Sequence, residues 1–241
     1  MPQTNENAIR KGLEAIAAGI IIASIIFGFF FYNSRLGKGE LNIIGKAKQT
    51  YSADVIKWQM AISRRGDLKN PKAGYLLLES DLATLQALLR ESGIKPEEIT
   101  VKPINTTEER DRDGNIVAYN LEVTVYTISK DIDKVEKLAL NPKTLFEKGI
   151  VVKNSETSYF FADLTEIKKD LLAKATKDAI GRGAEIAKNA GVKLDKMMSA
   201  RSGVFSITEP YSNENNDYGS YNTSTRKKDI SITMYVTFRL K

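Results

Sequence analysis

Asp111, Asp113 and Asn115 alternate as the oxygen ligands of a calcium loop do, and Glu122 falls at the twelfth position, where such a loop takes a bidentate carboxylate. The same loop needs Gly where this chain has Ile116, and Glu122 lies inside an alternating, strand-like run. Asp113-Gly114 therefore reads as a hairpin turn. Glu108, Glu109, Asp163 and Glu166 are the carboxylates on which a hydrolase could draw, since a carboxylate pair can cleave a glycosidic bond unaided. A polar turn and a helix start account for them by solvation and capping, and no spacing sets two of them across a cleft. The chain holds neither His nor Cys. That removes disulfides, zinc and iron–sulfur centres of the usual ligands, the Ser-His-Asp triad and a thiolate nucleophile. The residues assign no catalytic group, no cofactor and no metal ligand.

Two further constellations point to contacts instead of bond breaking. Ala175, Ala179, Gly183 and Ala187 recur every four residues and place a strip of small side chains on one helix face, which lets a sheet or another helix approach closely. Gly181-Arg182-Gly183 lies within that helix, not between a strand and a helix, and so is not a phosphate loop. Tyr211, Tyr218 and Tyr221 stand in a stretch rich in Asn, Ser and Gly, where rigid amphipathic rings among adaptable polar neighbours suit a recognition surface.

The elements that would carry these groups begin with an uncharged run of eighteen residues from Ala15 to Tyr32, AIAAGIIIASIIFGFFFY. As a helix it spans roughly 27 Å, about the hydrocarbon thickness of a bilayer. Residues 13–34 read as an uncleaved transmembrane anchor after a tail, residues 1–12. A cleaved signal peptide is the alternative, but the run is longer than an ordinary h-region and no small-x-small site follows before Arg35. Arg10 and Lys11 before the run, against Arg35, Lys38 and Lys46 after it, leave the orientation open, because long domains translocate largely regardless of flanking charge. Over the whole chain 36 basic and 30 acidic residues give a net charge of +6, and in the remainder, 39–241, the charges are interspersed. The triplet Arg226-Lys227-Lys228 reads as a solvated strand start, and nucleic acid is not expected as a partner.

Residues 41–48 and 55–63 read as strands, with Ile56, Trp58, Met60 and Ile62 sharing one face. Residues 66–74 read as a polar turn around Pro71, and 76–91 as an amphipathic helix with apolar positions 78, 82, 85, 88 and 89, closed by Gly93. Strands are expected at 99–104 and 116–128 around a turn at 108–115, a short helix from Asp131, a strand at 151–161, and a long helix to about Asn189. Residues 197–207 follow, then a mobile loop, 209–229, and a last strand, 230–240. Hairpin-paired strands interleaved with helices predict an α+β fold of mixed or antiparallel sheets with a long Ala-rich helix, preceded by the transmembrane helix.

The stretch KATKDAIGRGAEIAKNAGVKLDKMMSARSG resembles the signature of the SIMPL-domain family, the domain of unknown function 541, with its alanine-rich helix, Gly-Val-x-Leu turn and strand. ELNIIGKAKQTYSADVIKW is similar to the family's opening strand pair, with Gly45 and Asp54. SGIKPEEITVKPI, AYNLEVTVYTISKDIDKVEKL and ISITMYVTFRL resemble its later elements in order, so the likeness covers about 39–241. Ala53, Gly183 and Asp195 depart from it, at places where Pro, Ala and Gly are usual. The resemblance implies an exported or envelope-bound location in a bacterium and carries over no site residues. Its relatives include periplasmic proteins linked to oxidative stress, an outer-membrane immunogen that assembles into rings, and a eukaryotic namesake that binds a signalling kinase. On that basis the chain is expected to be non-catalytic, anchored in the inner or plasma membrane with its C-terminal domain on the periplasmic or cell-surface side. It is further expected to be homo-oligomeric, acting as a scaffold or stress-related accessory factor. A binding module for a cell-wall polymer or signalling partner through the tyrosine-rich loop is the second expectation, and a carboxylate-based envelope hydrolase the third; an envelope protein or wall polymer is the partner expected beyond the membrane and further copies of the chain.

Overall fold

The computed structural model describes residues 3–35, 39–213 and 219–241. Helix α1, Gln3–Arg35, contains the apolar run. Its segment Arg10–Tyr32 is long and apolar enough to cross a membrane, and it is exposed throughout. The chain divides into two compact units. The smaller comprises Met1–Gly45, Thr176–Arg201 and Met234–Lys241, the larger Lys46–Ala175 and Ser202–Thr233.

After α1 come β1 (Glu40–Ser52), β2 (Val55–Asp67), α2 (Pro71–Glu91), β3 (Ile99–Val101), β4 (Asn105–Arg110) and β5 (Ile116–Ser129). They are followed by α3 (Ile132–Ala139), α4 (Lys143–Glu147), β6 (Val152–Phe160), α5 (Thr165–Asn189), β7 (Leu194–Ser202), β8 (Ser206–Thr208) and β9 (Lys227–Leu240). One sheet has the order β3-β5-β2-β6, with β4 also on β5, and its pairings are antiparallel. The other has the order β1-β9-β7, with β8 also on β9. The architecture is α+β, as the residue pattern predicts.

In the larger unit the period-two alternation of β2 buries Ile56, Trp58, Met60 and Ile62 beside Leu121, Val123 and Val125 of β5. Leu78, Leu85, Leu88 and Leu89 of α2 close this core from the helix side. The start of α2 differs from expectation: residues 71–74 are helical, not turn. Pro71 stands in the first turn, where a missing N–H costs nothing, and Asn70 Oδ1 accepts from the Ala73 N–H at 3.3 Å. Gly74 then lets α2 lie against β2, because a Cβ there would sit 2.8 Å from Gly66 Cα. Arg64 fixes the same pair of elements with a two-point bond to Asp81, 2.5 and 2.9 Å.

The strand expected at 99–104 is shorter, and β4 occupies 105–110, its last three residues within what reads as turn. The turn proper is 111–115, where Asp111 Oδ1 accepts from the Asp113 and Asn115 N–H groups at 2.9 and 2.8 Å. Helix α4 is an addition to the predicted elements. In the smaller unit the Leu240 N–H donates to Gly39 O at 2.7 Å, and Lys193 and Lys241 exchange backbone bonds of 2.8 Å.

Candidate functional site

The inward face of β9 carries Ile230, Ile232, Met234, Val236 and Phe238 at every second position, and one step back in the same phase is Lys228. Its side chain is 0% exposed. The ammonium donates to Asn222 O at 2.6 Å and forms no ion pair with a described residue. Burial alone pushes its pKa from 10.5 down to about 8. The triplet read as solvated therefore has one member in the core, placed there by strand alternation.

Asp229, 5% exposed, lies next in sequence and so on the opposite face. Lys48 Nζ meets it at 2.6 Å, Thr50 Oγ1 donates to it at 2.5 Å, and the Tyr211 N–H donates as well. Burial pushes this carboxyl up; the bonds from Lys48, Thr50 and Tyr211 outweigh that and leave it below its ordinary value. Consecutive residues of β9 thus hold two polar centres, one on each side of the sheet.

Residues 219–226 form a strap fixed to these elements. The Ile207 N–H donates to Ser220 O at 2.7 Å, and the Asn222 N–H returns a bond to Ile207 O at 2.8 Å. Further along, Thr223 O accepts from the Tyr159 N–H at 2.7 Å and Arg226 O from the Ala53 N–H at 2.8 Å. Arg226 Nη1 reaches Asp133 at 2.5 Å and Glu136 at 3.3 Å, and Tyr159 Oη donates to Glu136 at 2.7 Å. Asp54, whose Oδ1 accepts from the Ala162 N–H at 2.7 Å, steadies the same corner. At the head of the strap Gly219 has φ +81°, and a Cβ there would lie 2.7 Å from Val204 Cγ1 and 2.8 Å from Phe205 O. Only glycine meets both conditions.

Beside the strap is a pocket of about 270 Å³ lined by Leu164, Lys168, Phe205, Ile207, Gly219, Ser220 and Tyr221. Tyr221 stacks on Phe160 with ring centroids 6.4 Å apart, and Lys168 Nζ stands 5.5 Å from the Phe205 ring centroid. The Ser206 and Ser220 hydroxyls bond each other at 2.7 Å. Aromatic walls, one ammonium and two hydroxyls can hold an amphipathic group; nothing in this set is arranged as a nucleophile with a base.

Of the tyrosines singled out from sequence, Tyr211 is 95% exposed and has φ 63°, the one non-glycine residue described with a positive φ. Tyr221 is half-exposed against Phe160, and Tyr218 lies outside the described residues. The 209–229 stretch is not a single loop: Lys227 to Asp229 belong to β9, Thr208 pairs with Asp229, and 220–226 are bonded as above. On the small-residue strip Ala175, Ala179 and Ala187 are buried, and within the smaller unit a Cβ at Gly183 would meet Phe238 at 3.4 Å and Leu194 at 3.5 Å. The other side of that helix segment stays open. Arg182, Glu185 and Ile186 with Asn42, Ile43 and Ile44 line a groove of about 370 Å³.

The carboxylates are dispersed into local bonds: Glu108 with Arg110, Glu109 with Arg65, Asp163 with the Thr165 N–H and Glu166 with Lys169. Glu122 pairs with Lys153 and lies opposite Asn105 in β4, away from Asp111. Among the described residues no group of three potential ligands is placed to hold a metal. Sequence reasoning missed Lys228 and Asp229; the phase of ISITMYVTF, carried two residues back, is the signal that finds Lys228.

Residues 41–238 match the family model described as SIMPL, protein of unknown function (DUF541). No curated protein matches the chain.

Proposed function

We propose, for a chain that belongs to the SIMPL (DUF541) family, a non-catalytic interaction domain tethered to the bacterial inner or plasma membrane through residues 13–34. The domain works outside the cytoplasm, where it self-associates as an envelope scaffold or stress-related accessory factor. The observation that carries this reading is α1: Arg10–Tyr32 presents apolar side chains on every face, and no described part of the chain covers them. Self-association is supported by the open groove beside Ile44 and Ile186 and by β7, an edge strand with Met197 and Met198 exposed. Tethering concentrates copies in one plane, so weak contacts suffice.

Cross-linking in intact cells followed by mass spectrometry tests self-contact, and a C-terminal tag tests orientation. Links between copies and a tag reached only from outside the cytoplasm support the reading. A tag reached only from the cytoplasm, or links confined to single copies, overturns it. The intact mass of the membrane-bound protein distinguishes an anchor from a cleaved leader.

A second reading, a binding module for a cell-wall polymer or signalling partner, is favoured by Tyr211, where a left-handed backbone holds a bare ring toward solvent. Partner capture that survives Tyr211→Ala with Tyr221→Ala would end it.

A further inference from the structure

The chain between α1 and β1 is short. Three residues, 36–38, separate Arg35 from Gly39, so the four steps between them reach at most about 14 Å. Gly39 in turn sits against Leu240, with the 2.7 Å bond between their backbones, and Lys241 pairs with Lys193 across the next strand gap. Strands lie about 4.8 Å apart, so Lys193 is about 10 Å from Gly39. The end of the smaller unit that carries Gly39, Lys193 and Lys241 is therefore the part of the fold that the tether holds nearest to α1.

That end is cationic. Lys188, Lys193, Lys196 and Lys241 are exposed, and Arg239 is half-buried beside them; Glu40, Glu185 and Asp195 are the carboxylates of the same segments. Lys241 Nζ meets Asp195 at 2.9 Å, and Arg239 and Lys196 also act on that carboxyl, so three cations surround one anion. Arg35 and Lys38 add charge of the same sign in the tether itself. A concentration of positive charge held within a few Debye lengths of a bilayer is drawn to acidic lipid, and close contact at one end of the unit amplifies this.

We propose that the surface bearing Lys188, Lys193, Lys196, Arg239 and Lys241 docks on the anionic headgroups of the same leaflet from which the tether emerges. This rests on reading residues 13–34 as an uncleaved anchor. Docking fixes the attitude of the smaller unit on the membrane, so that lipid composition controls which of its faces is offered to a partner.

The absence of cysteine makes the test direct. The full chain is placed in nanodiscs of phosphatidylcholine, with or without a third of phosphatidylglycerol, carrying headgroup spin-labelled lipid. A fluorophore is attached through Ala190→Cys, at the cationic end, or through Ser199→Cys, about 20 Å further along β7. Quenching at residue 190 is expected to rise with phosphatidylglycerol, to fall in high salt, and to exceed that at residue 199. The triple variant Lys188→Gln, Lys193→Gln, Lys196→Gln weakens docking on the order of a hundred-fold and returns quenching to the phosphatidylcholine level. Disc-bound protein with quenching indifferent to lipid charge, or unchanged in the triple variant, overturns the docking surface alone. Protein recovered free of discs overturns the anchor and the proposal with it.

Discussion

Replacing Lys228 by Met should stabilise the protein at neutral pH, and the gain should vanish as the pH rises. The ammonium is fully buried, with a backbone carbonyl as its bonded partner, and its pKa falls from 10.5 to about 8. Each pKa unit is worth about 1.4 kcal/mol, so keeping the charge inside costs about 3 kcal/mol below pH 8. Met fills similar volume with no charge but leaves Asn222 O without its bond, which returns about 1 kcal/mol. The net expectation is about 2 kcal/mol in favour of the variant.

The sign with pH follows from proton binding. Between about pH 8 and 10.5 the unfolded chain still holds the Lys228 proton while the folded chain has released it, so wild-type stability rises with pH through this window. Below pH 8 both states are protonated and the cost is constant. Urea unfolding in nanodiscs, followed by the fluorescence of Trp58, the single tryptophan and itself buried, reads the difference between wild type and variant. Tyr51 and Tyr159, whose hydroxyls burial and neighbouring carboxylates raise above the usual range, titrate in both proteins and cancel. A difference flat from pH 7.5 to 10.5, or a variant less stable at pH 7, refutes the argument.

Gly74→Ala should destabilise the larger unit by about 1–3 kcal/mol, measured by the same unfolding, because its Cβ meets backbone at 2.8 Å on one side and Leu121 at 3.1 Å on another. Gly183→Ala should do the opposite and raise stability by up to about 1 kcal/mol: its Cβ fits at 3.4–3.5 Å from Phe238 and Leu194, and the helix gains propensity. Tyr211→Asn should relieve left-handed strain of the order of 1 kcal/mol, seen as a raised Tm, while lowering capture of any partner that uses the ring. Asp229→Asn should lower stability by about 1–2 kcal/mol at neutral pH, since Lys48 and Thr50 lose a buried charged acceptor. In acid the Asp229 contribution is complete above the ordinary carboxylate range, falls as the pH drops through that range, where the unfolded chain takes up the proton first, and is gone once the pH passes the lowered pKa of the folded state.

What the residues disclose depends on whether the cause is local. The inward face of β2 is legible because alternation over 56–62 has one interpretation, and the α2 stripe is legible for the same reason at helical period. The start of α2 is not, since Pro71 signals a turn as well as a first helical turn and only the Asn70 cap decides between them. The strap is illegible for a deeper reason: its partners Tyr159 and Ala53 lie far off in sequence, so EPYSNENNDYGSYNTSTRKKD shows its polarity and hides its bonds. Lys228 misleads because a basic triplet suggests solvent, while the strand phase that buries it is set by apolar residues further on.

The features that break the local rules lie together. Lys228, a charge in the core, holds the Asn222 carbonyl of the strap; Asp229 beside it receives the N–H of Tyr211, a tyrosine in a glycine's conformation. Both arms of the 209–226 segment are thus fastened to neighbouring residues of one strand, on opposite faces, by groups that cost stability where they stand. A sequence selected for stability alone would carry Met at 228 and Asn or Gly at 211, so the two costs are better understood as what holds Tyr211 and Tyr221 in fixed positions. Rings held in place lose less freedom on contact than rings on a free loop, and that saving is available to any partner that binds there. On a domain tethered as proposed above, partners would meet in a plane, and a surface made ready in this way would bind usefully even when each contact is weak.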